Sequence, residues 1–236
     1  MLETVRAGRF EIPVLYEDNH LLAVVKPPNL PVQADASGDD DLLSIMKRYI
    51  GKKYRKPGAV YLGLVHRLDR PVGGAMVLAR TSKAASRLSA AFAGRDVKKR
   101  YLAVLQGELK RPLTLEDWLR KDPDGMVRVT DEGAQGAKPA RLDSEPLCVR
   151  EGLTLARVTL HTGRAHQIRV QHAHVGLPLW GDARYGGGRP GQQIALWAAE
   201  LTLQHPVRHE PLRLTCLPPE TGAWAVFQDV IKELII

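Results

Sequence analysis

Apolar and polar positions alternate in short runs through most of the chain. "IPVLYEDNHLLAVVK", residues 12 to 26, holds two apolar stretches around the turn-forming "EDNH" and predicts a hairpin. Pro27, Pro28 and Pro31 then keep the chain extended, since proline fixes φ and removes a backbone donor. In "LLSIMKRYI" the apolar residues recur at three- and four-residue steps, predicting a helix for which Asp39 to Asp41 offer N-caps; its tail, "KRYIGKKYRK", is basic. Residues 59 to 66 and 75 to 80 are strand-like, with "RPVGG" between them as a tight connection, so Asp69 falls at a strand end or on a loop. Ser82 can cap a helix through "KAASRLSAAFA", Gly94 can end it, and "RYLAVLQG" returns as a strand. From about 109 to 152 the periodicity weakens and hairpins and loops are expected. "LTLARVTLHTG" alternates as a half-buried strand. "AHQIRVQHAHVG" puts Ile168, His172 and Val175 on one helical face and closes with Gly176. "IALWAAELTLQ" and "LRLTCLP" are strand-like, and "WAVFQDVIKELII" is an amphipathic terminal helix.

Many strands, interspersed helices and hairpin-length connections predict an α+β fold around a mixed, largely antiparallel central sheet with flanking helices and loops. A doubly wound parallel fold would need regular strand and helix alternation with a glycine fingerprint, and "GG" at 73 and 74 does not supply one. The 236 residues suffice for one large domain or two closely joined halves, and no linker, repeat or low-complexity tract divides them.

Charge adds a partner class. Thirty-four Lys plus Arg against 26 Asp plus Glu gives +8, which fits either a polyanionic partner or simple solubility. Two cysteines, Cys148 and Cys216, make neither a disulfide framework nor a metal knuckle, so a reducing cytoplasm is expected. No run of 18 apolar residues offers a membrane span, and Glu3, Glu11, Glu17 and Asp18 interrupt any signal-peptide core. Nothing marks a coiled coil, and a monomer is the expectation.

The chemical candidates are few. "HRLDR" crowds His66, Arg67, Asp69 and Arg70 into five positions. A carboxylate beside Arg67 and Arg70 should stay ionised, its pKa lowered by roughly 1–3 units, which suits a nucleophile, a base or a structural ion pair closing a turn. "RLD" recurs at 141 to 143, so the tripeptide alone does not choose among these. His161, His166, His172 and His174 fall within 14 residues, but no i, i+4 pair lines a helix face as a zinc-protease motif requires, and no metal site is expected. A nucleophile elbow, a reactive cysteine and a phosphate-cradling P-loop are all missing. Basic residues interleaved with aromatics remain: Arg67, Arg70, "KKRY" at 98 to 101, Arg164 and Arg169. That pattern suits phosphate contacts plus base stacking.

Several stretches, in order, resemble the RluA-type RNA pseudouridine synthases: "VLYEDNHLLAVVKPPNLPV" at 14 to 32, "HRLDR" at 66 to 70, "KKRYLAVLQG" at 98 to 107, "HTGRAHQIRVQHAHVGLPLWGD" at 161 to 182, and Tyr185. The likeness covers most of the chain. It implies an isomerase that detaches uracil within RNA at N1, turns it and rejoins it through C5, with no cofactor or metal. Asp69 would be the catalytic aspartate, Tyr101 the tyrosine packed on the target base, and Arg169 the cation paired with the aspartate. Arg67 would help fill the gap left by the flipped nucleotide, and Ile168 would wall the uracil. Arg70, Arg164 and Gln167 would contact substrate or support the site, as would Lys26 and His66. The RNA partner would be ribosomal or transfer RNA, and residues 1–236 would form one catalytic domain of two subdomains around a cleft, without a separate N-terminal RNA-binding module. Two departures stand out: Val72, Gly73 and Gly74 replace a common Thr-Ser-Gly continuation, and Ala165 replaces a common threonine. A protein that keeps the fold and binds RNA without turnover is the alternative; joint retention of Asp69, Tyr101 and Arg169 favours the enzyme.

Overall fold

The computed structural model describes residues 3–189 and 191–234. Its first three strands, β1 (Thr4–Ala7), β2 (Phe10–Glu17) and β3 (Leu21–Lys26), pair antiparallel in sequence order. The expected hairpin is β2–β3. Asp18 Oδ1 closes it by accepting the N–H groups of His20 and Leu21, each at 2.8 Å. Helix α1 (Leu42–Lys53) starts where Asp41 Oδ1 accepts Ser44 N–H at 3.0 Å, and it buries Leu42, Ile45, Met46 and Ile50 at the three- and four-residue spacing of its sequence.

The region after α1 departs from its pattern. The strand expected over 59 to 66 shrinks to β4 (Gly63–Leu64), while β5 extends over Gly73–Ala79 and takes in both glycines assigned to the connection. The reason is pairing: Gly74 sits opposite Lys26 in the β3–β5 ladder, with a φ of +126° that glycine tolerates. Helix α2 (Ser82–Gly94) is capped one residue earlier than expected, by Thr81 Oγ1 on Ala84 N–H at 3.2 Å; the left-handed residue at its end is Arg95, φ +66°, rather than Gly94.

Strand β6 (Lys98–Gln106) follows as expected. Residues 109 to 152 are more regular than their composition suggests, forming β7 (Leu113–Lys121), β8 (Val127–Thr130) and the long β9 (Lys138–Arg150), which leads into β10 (Leu153–Leu160). Helix α3 (Gln167–His174) buries Ile168 and His172, but Val175 lies just beyond it and is 41% exposed. Strands β11 (Leu196–Gln204) and β12 (Pro211–Thr215) follow. The expected terminal helix is split: Gly222–Phe227 winds as a 3-10 turn, burying Trp224 and Phe227 three residues apart, before α4 (Gln228–Glu233); residues 235 and 236 lie outside the described residues.

The class is α+β, with mostly antiparallel strands and a few helices. The chain forms two compact units, residues 1–97 with 200–216 and residues 98–199 with 217–236. In the first, Leu21 and Ala23 of β3, Ala75, Val77 and Ala79 of β5, and Leu201 and Leu203 of β11 pack with Ala84 and Leu88 of α2. Each strand contributes alternate residues, the two-residue period of a covered sheet face. In the second, the antiparallel order is β6-β10-β9-β7-β8, and Val170 of α3 packs against Leu119, Val127 and Ala140.

Candidate active site

Asp69 stands in the first unit, on the loop between β4 and β5. His66 anchors the loop's approach. Its Nε2 accepts Val77 N–H at 3.0 Å, and its ring stacks on Phe92 with centroids 4.5 Å apart and planes 16° from parallel. An accepting Nε2 fixes the neutral ring as the Nδ1–H tautomer. Beyond it, Arg67 is exposed, Leu68 buried, Asp69 half-buried and Arg70 exposed, so the aspartate follows an apolar anchor. Asp69 C=O accepts Val72 N–H at 3.0 Å and closes the turn; Arg70 C=O accepts Asn29 N–H at 2.8 Å.

Beneath this turn lies Lys26, wholly buried at the end of β3. Its ammonium donates to Pro27 C=O at 3.0 Å, Leu30 C=O at 2.8 Å and Arg70 C=O at 3.0 Å. Three N–H donors meet three acceptors, and the proline loop is tied to the turn after Asp69. Burial pushes the Lys26 pKa down to about 7; the negative charge of Asp69 opposes that shift, and the positive charge of Arg70 adds to it. The guanidinium of Arg70 forms ion pairs with Asp35, at 3.4 Å, and with Asp39. Lys26 is thus a buried cation that feels the charge of Asp69, a role the spacing of "HRLDR" does not reveal.

Tyr101, Arg164, Gln167, Ile168 and Arg169 belong to the second unit. Tyr101 is half-buried on β6, opposite Val158 of β10. The "HTGRAHQIR" segment is folded around Gln167, which is 2% exposed. Gln167 Oε1 accepts Thr162 O–H at 2.7 Å and Arg164 N–H at 3.1 Å, while its Nε2 donates to Arg141 C=O at 3.1 Å. Its amide supports this turn. Arg164 Nε donates to Pro139 C=O at 3.0 Å, and Ile168 is 4% exposed. The second "RLD" lies on β9: Asp143 there pairs with His161 Nε2 at 2.6 Å and accepts Thr114 O–H at 2.8 Å.

Arg169 is held rigidly. Its Nε and Nη2 bind Asp182 Oδ2 and Oδ1 at 2.8 and 2.7 Å, the two side chains being 8% and 0% exposed. This is the bidentate geometry a planar guanidinium favours. Burial would raise the Asp182 pKa, but the Arg169 pair and the N–H groups of Arg184 and Tyr185 outweigh it and hold the carboxyl below its usual range. The guanidinium carbon lies 5.2 Å from the centre of the Tyr185 ring, whose Oη accepts Val127 N–H at 3.0 Å and pairs with His166 Nδ1 at 2.8 Å. Burial raises the Tyr185 phenol. Asp182 was not singled out in the sequence, yet a signal exists: it is the lone acidic residue between 161 and 185, within reach of an arginine that must be neutralised if buried. The four histidines of the cluster disperse, His161 to Asp143, His166 to Tyr185, buried His172 to Ile168 C=O and Ser144 Oγ, and His174 to the exposed end of α3. Among the described residues no group of three His, Cys, Asp or Glu could hold a metal, and no helix is long and apolar enough to cross a membrane.

The RNA pseudouridylate synthase family model matches residues 20–174. A ribosomal large subunit pseudouridine synthase D of Xanthomonas campestris pv. campestris is 34% identical over 240 residues, covering 93% of this chain and 71% of that one. An uncharacterized RNA pseudouridine synthase of Bacillus subtilis is 33% identical over 226 residues, covering 92% of this chain and 76% of the relative. The solved human RNA pseudouridylate synthase domain containing 4 superposes with a TM-score of 0.73 at 22% identity over 93% of this chain and 92% of its own, a likeness of fold. The chain belongs to the RNA pseudouridine synthases, a family of isomerases. Within them it is of the RluA type, the group that holds its ribosomal large subunit synthase C and D relatives.

Proposed function

We propose that this chain isomerises specific uridines of ribosomal or transfer RNA, with Asp69 as the catalytic carboxylate. Ribosomal RNA is the first candidate, because relatives covering most of the chain are named ribosomal large subunit synthases. The carboxylate either adds to C1′ of the target nucleotide or removes its 2′ proton. The N1–C1′ bond breaks and the base turns; as the C5–C1′ bond forms, the carboxylate leaves C1′ or the proton returns to C2′, and the C5 proton leaves while N1 regains one. Tyr101 stacks on the base and assists that last proton removal. Arg169, held by Asp182 and lying beside Tyr185, supplies positive charge to the reaction. Extruding a base costs a few kcal/mol, which stacking on Tyr101 and phosphate contacts by Arg67, Arg70 and Arg164 offset.

The observation that carries this reading is the immobilised turn after Asp69, gripped by Lys26 and Asn29 through one carbonyl. A carboxylate meant to meet C1′ or a 2′ proton has to be held within a fraction of an ångström, and a buried triple donor does that for the backbone beside it. The test uses unmodified ribosomal and transfer RNA transcripts carrying tritium at uracil C5. Release of tritium, with new pseudouridines mapped at defined positions, is expected; no release from either RNA class would remove the proposal.

A further inference from the structure

The segment "KRYIGKKYRKPGAVY", residues 47–61, carries six Lys or Arg and three Tyr without an acidic residue. It spans the last turns of α1 and the loop beyond. Two of its cations are neutralised: Arg48 by Asp40 at 2.9 Å, and Lys53 by Glu17 at 2.9 Å and Glu3 at 2.5 Å. Lys47, Lys52, Arg55 and Lys56 make no ion pair among the described residues, and the last three are exposed. Among the described residues, the two exposed large aromatic side chains both lie here: Tyr54, 46% exposed, and Tyr61, 49%.

The Tyr54 ring is held in place. Tyr54 Oη donates to Glu17 Oε1 at 2.6 Å, and Arg80 lies over its ring at 4.6 Å. The same Glu17, with a side chain only 9% exposed, also takes Tyr49 O–H at 2.8 Å and Arg80 Nη1 at 3.1 Å, so a nearly buried carboxylate fixes the wall behind Tyr54. Tyr61 folds back over Gly63, whose missing Cβ would stand 2.8 Å from the Tyr61 hydroxyl. Arg55 adopts a left-handed conformation, φ +48°, and Lys56 N–H closes the helix end on Gly51 C=O at 3.0 Å. A purely solvated charged face explains the lysines but not two exposed rings among them, one of them tethered. Phosphates would neutralise the charges, and unpaired bases would cover the rings.

Resting on the RNA reading above, we propose that residues 52–61 form an RNA-docking surface outside the catalytic residues. Lys52, Arg55 and Lys56 bind phosphates of a single-stranded or loop segment, and Tyr54 and Tyr61 stack its bases. The probe is a fluorescein-labelled, U-rich 20-nucleotide single-stranded RNA, titrated with the full chain by anisotropy from 50 to 300 mM KCl. For Lys52→Ala/Arg55→Ala/Lys56→Ala, the slope of log K against log salt should become shallower by about 2 (roughly 0.7 for each phosphate no longer neutralised), with weaker binding. Tyr61→Ala should weaken binding by roughly 5- to 150-fold without changing that slope. Lys83→Ala/Arg111→Ala/Lys121→Ala, which removes the same charge from exposed positions elsewhere, should change neither. An unaltered slope in the first triple variant, or an equal loss in the second, overturns the docking surface. RNA binding through 52–61 without tritium release by the wild type sinks the proposed activity instead, so the two failures are distinguishable.

Discussion

Replacing Lys26 by Met separates holding the fold from holding the turn beside Asp69. Two opposing terms act on stability. Pro27 and Leu30 lose their donor, at about 1–3 kcal/mol for each carbonyl left unsatisfied, whereas Arg70 C=O keeps Asn29. Against that, the wild type bears the cost of burying an ammonium whose pKa falls from 10.5 to about 7, on the order of 5 kcal/mol, which Met does not incur. The sums nearly cancel, so urea unfolding at pH 7 should place Lys26→Met within about 2 kcal/mol of wild type. Turnover should nevertheless fall on the order of 100-fold, the scale of an ångström of misplacement at a reacting group. The pH dependence supplies a sign. With a folded pKa below the unfolded one, the unfolded chain binds more protons between pH 7 and 10.5, so stability from this group rises with pH across that window and is least below pH 7. The stability of wild type relative to Lys26→Met should therefore climb from pH 7 to pH 10. A variant more than about 4 kcal/mol less stable at pH 7, or one with full turnover, would refute this reasoning.

Three further outcomes follow from the second unit. Asp182→Asn leaves Arg169 buried without its counter-charge and should cost about 3–5 kcal/mol in chemical denaturation, whereas adding Arg169→Met should recover part of the loss. His172 is buried neutral, its pKa pushed down to about 4 by desolvation; the unfolded state binds its proton first, so stability should be lost as pH falls from 6.5 to 4, by up to about 3 kcal/mol, and His172→Gln should lack that component. Asp143→Ala breaks a half-exposed pair with His161 and an exposed hydrogen bond from Thr114, and should change stability by about 1 kcal/mol or less while tritium release stays close to wild type.

The two RLD aspartates mark how far sequence carried the site. Asp69 and Asp143 are alike locally, and only the order of the other motifs distinguishes them; the structure adds that one lies on a gripped turn and the other on β9. The β2–β3 hairpin and helix α1 were legible because periodicity, turn residues and caps agreed, and α2 was legible from its periodicity although Thr81 and Arg95 cap it rather than Ser82 and Gly94. Strands β7 to β9 were not, since on the inward face of β9 the large apolar Leu142 stands between the small Ala140 and the polar Ser144, which leaves little hydrophobic rhythm. The burial of Lys26, named only through the family likeness, and the role of Asp182 were not legible for a tertiary reason. A lysine before two prolines resembles a solvated charge until Arg70 C=O, 44 residues away, is brought to it, and Asp182 reaches Arg169 only because the chain returns after α3.

The central claim is that the Asp69 carboxylate does chemistry. Its most direct measurement is tritium release from uracil C5 of an RNA that the wild type modifies, under single-turnover conditions with saturating Asp69→Asn protein. Complete loss of release, with RNA affinity and urea midpoint unchanged, is the expected result; release at the wild-type rate would contradict the claim.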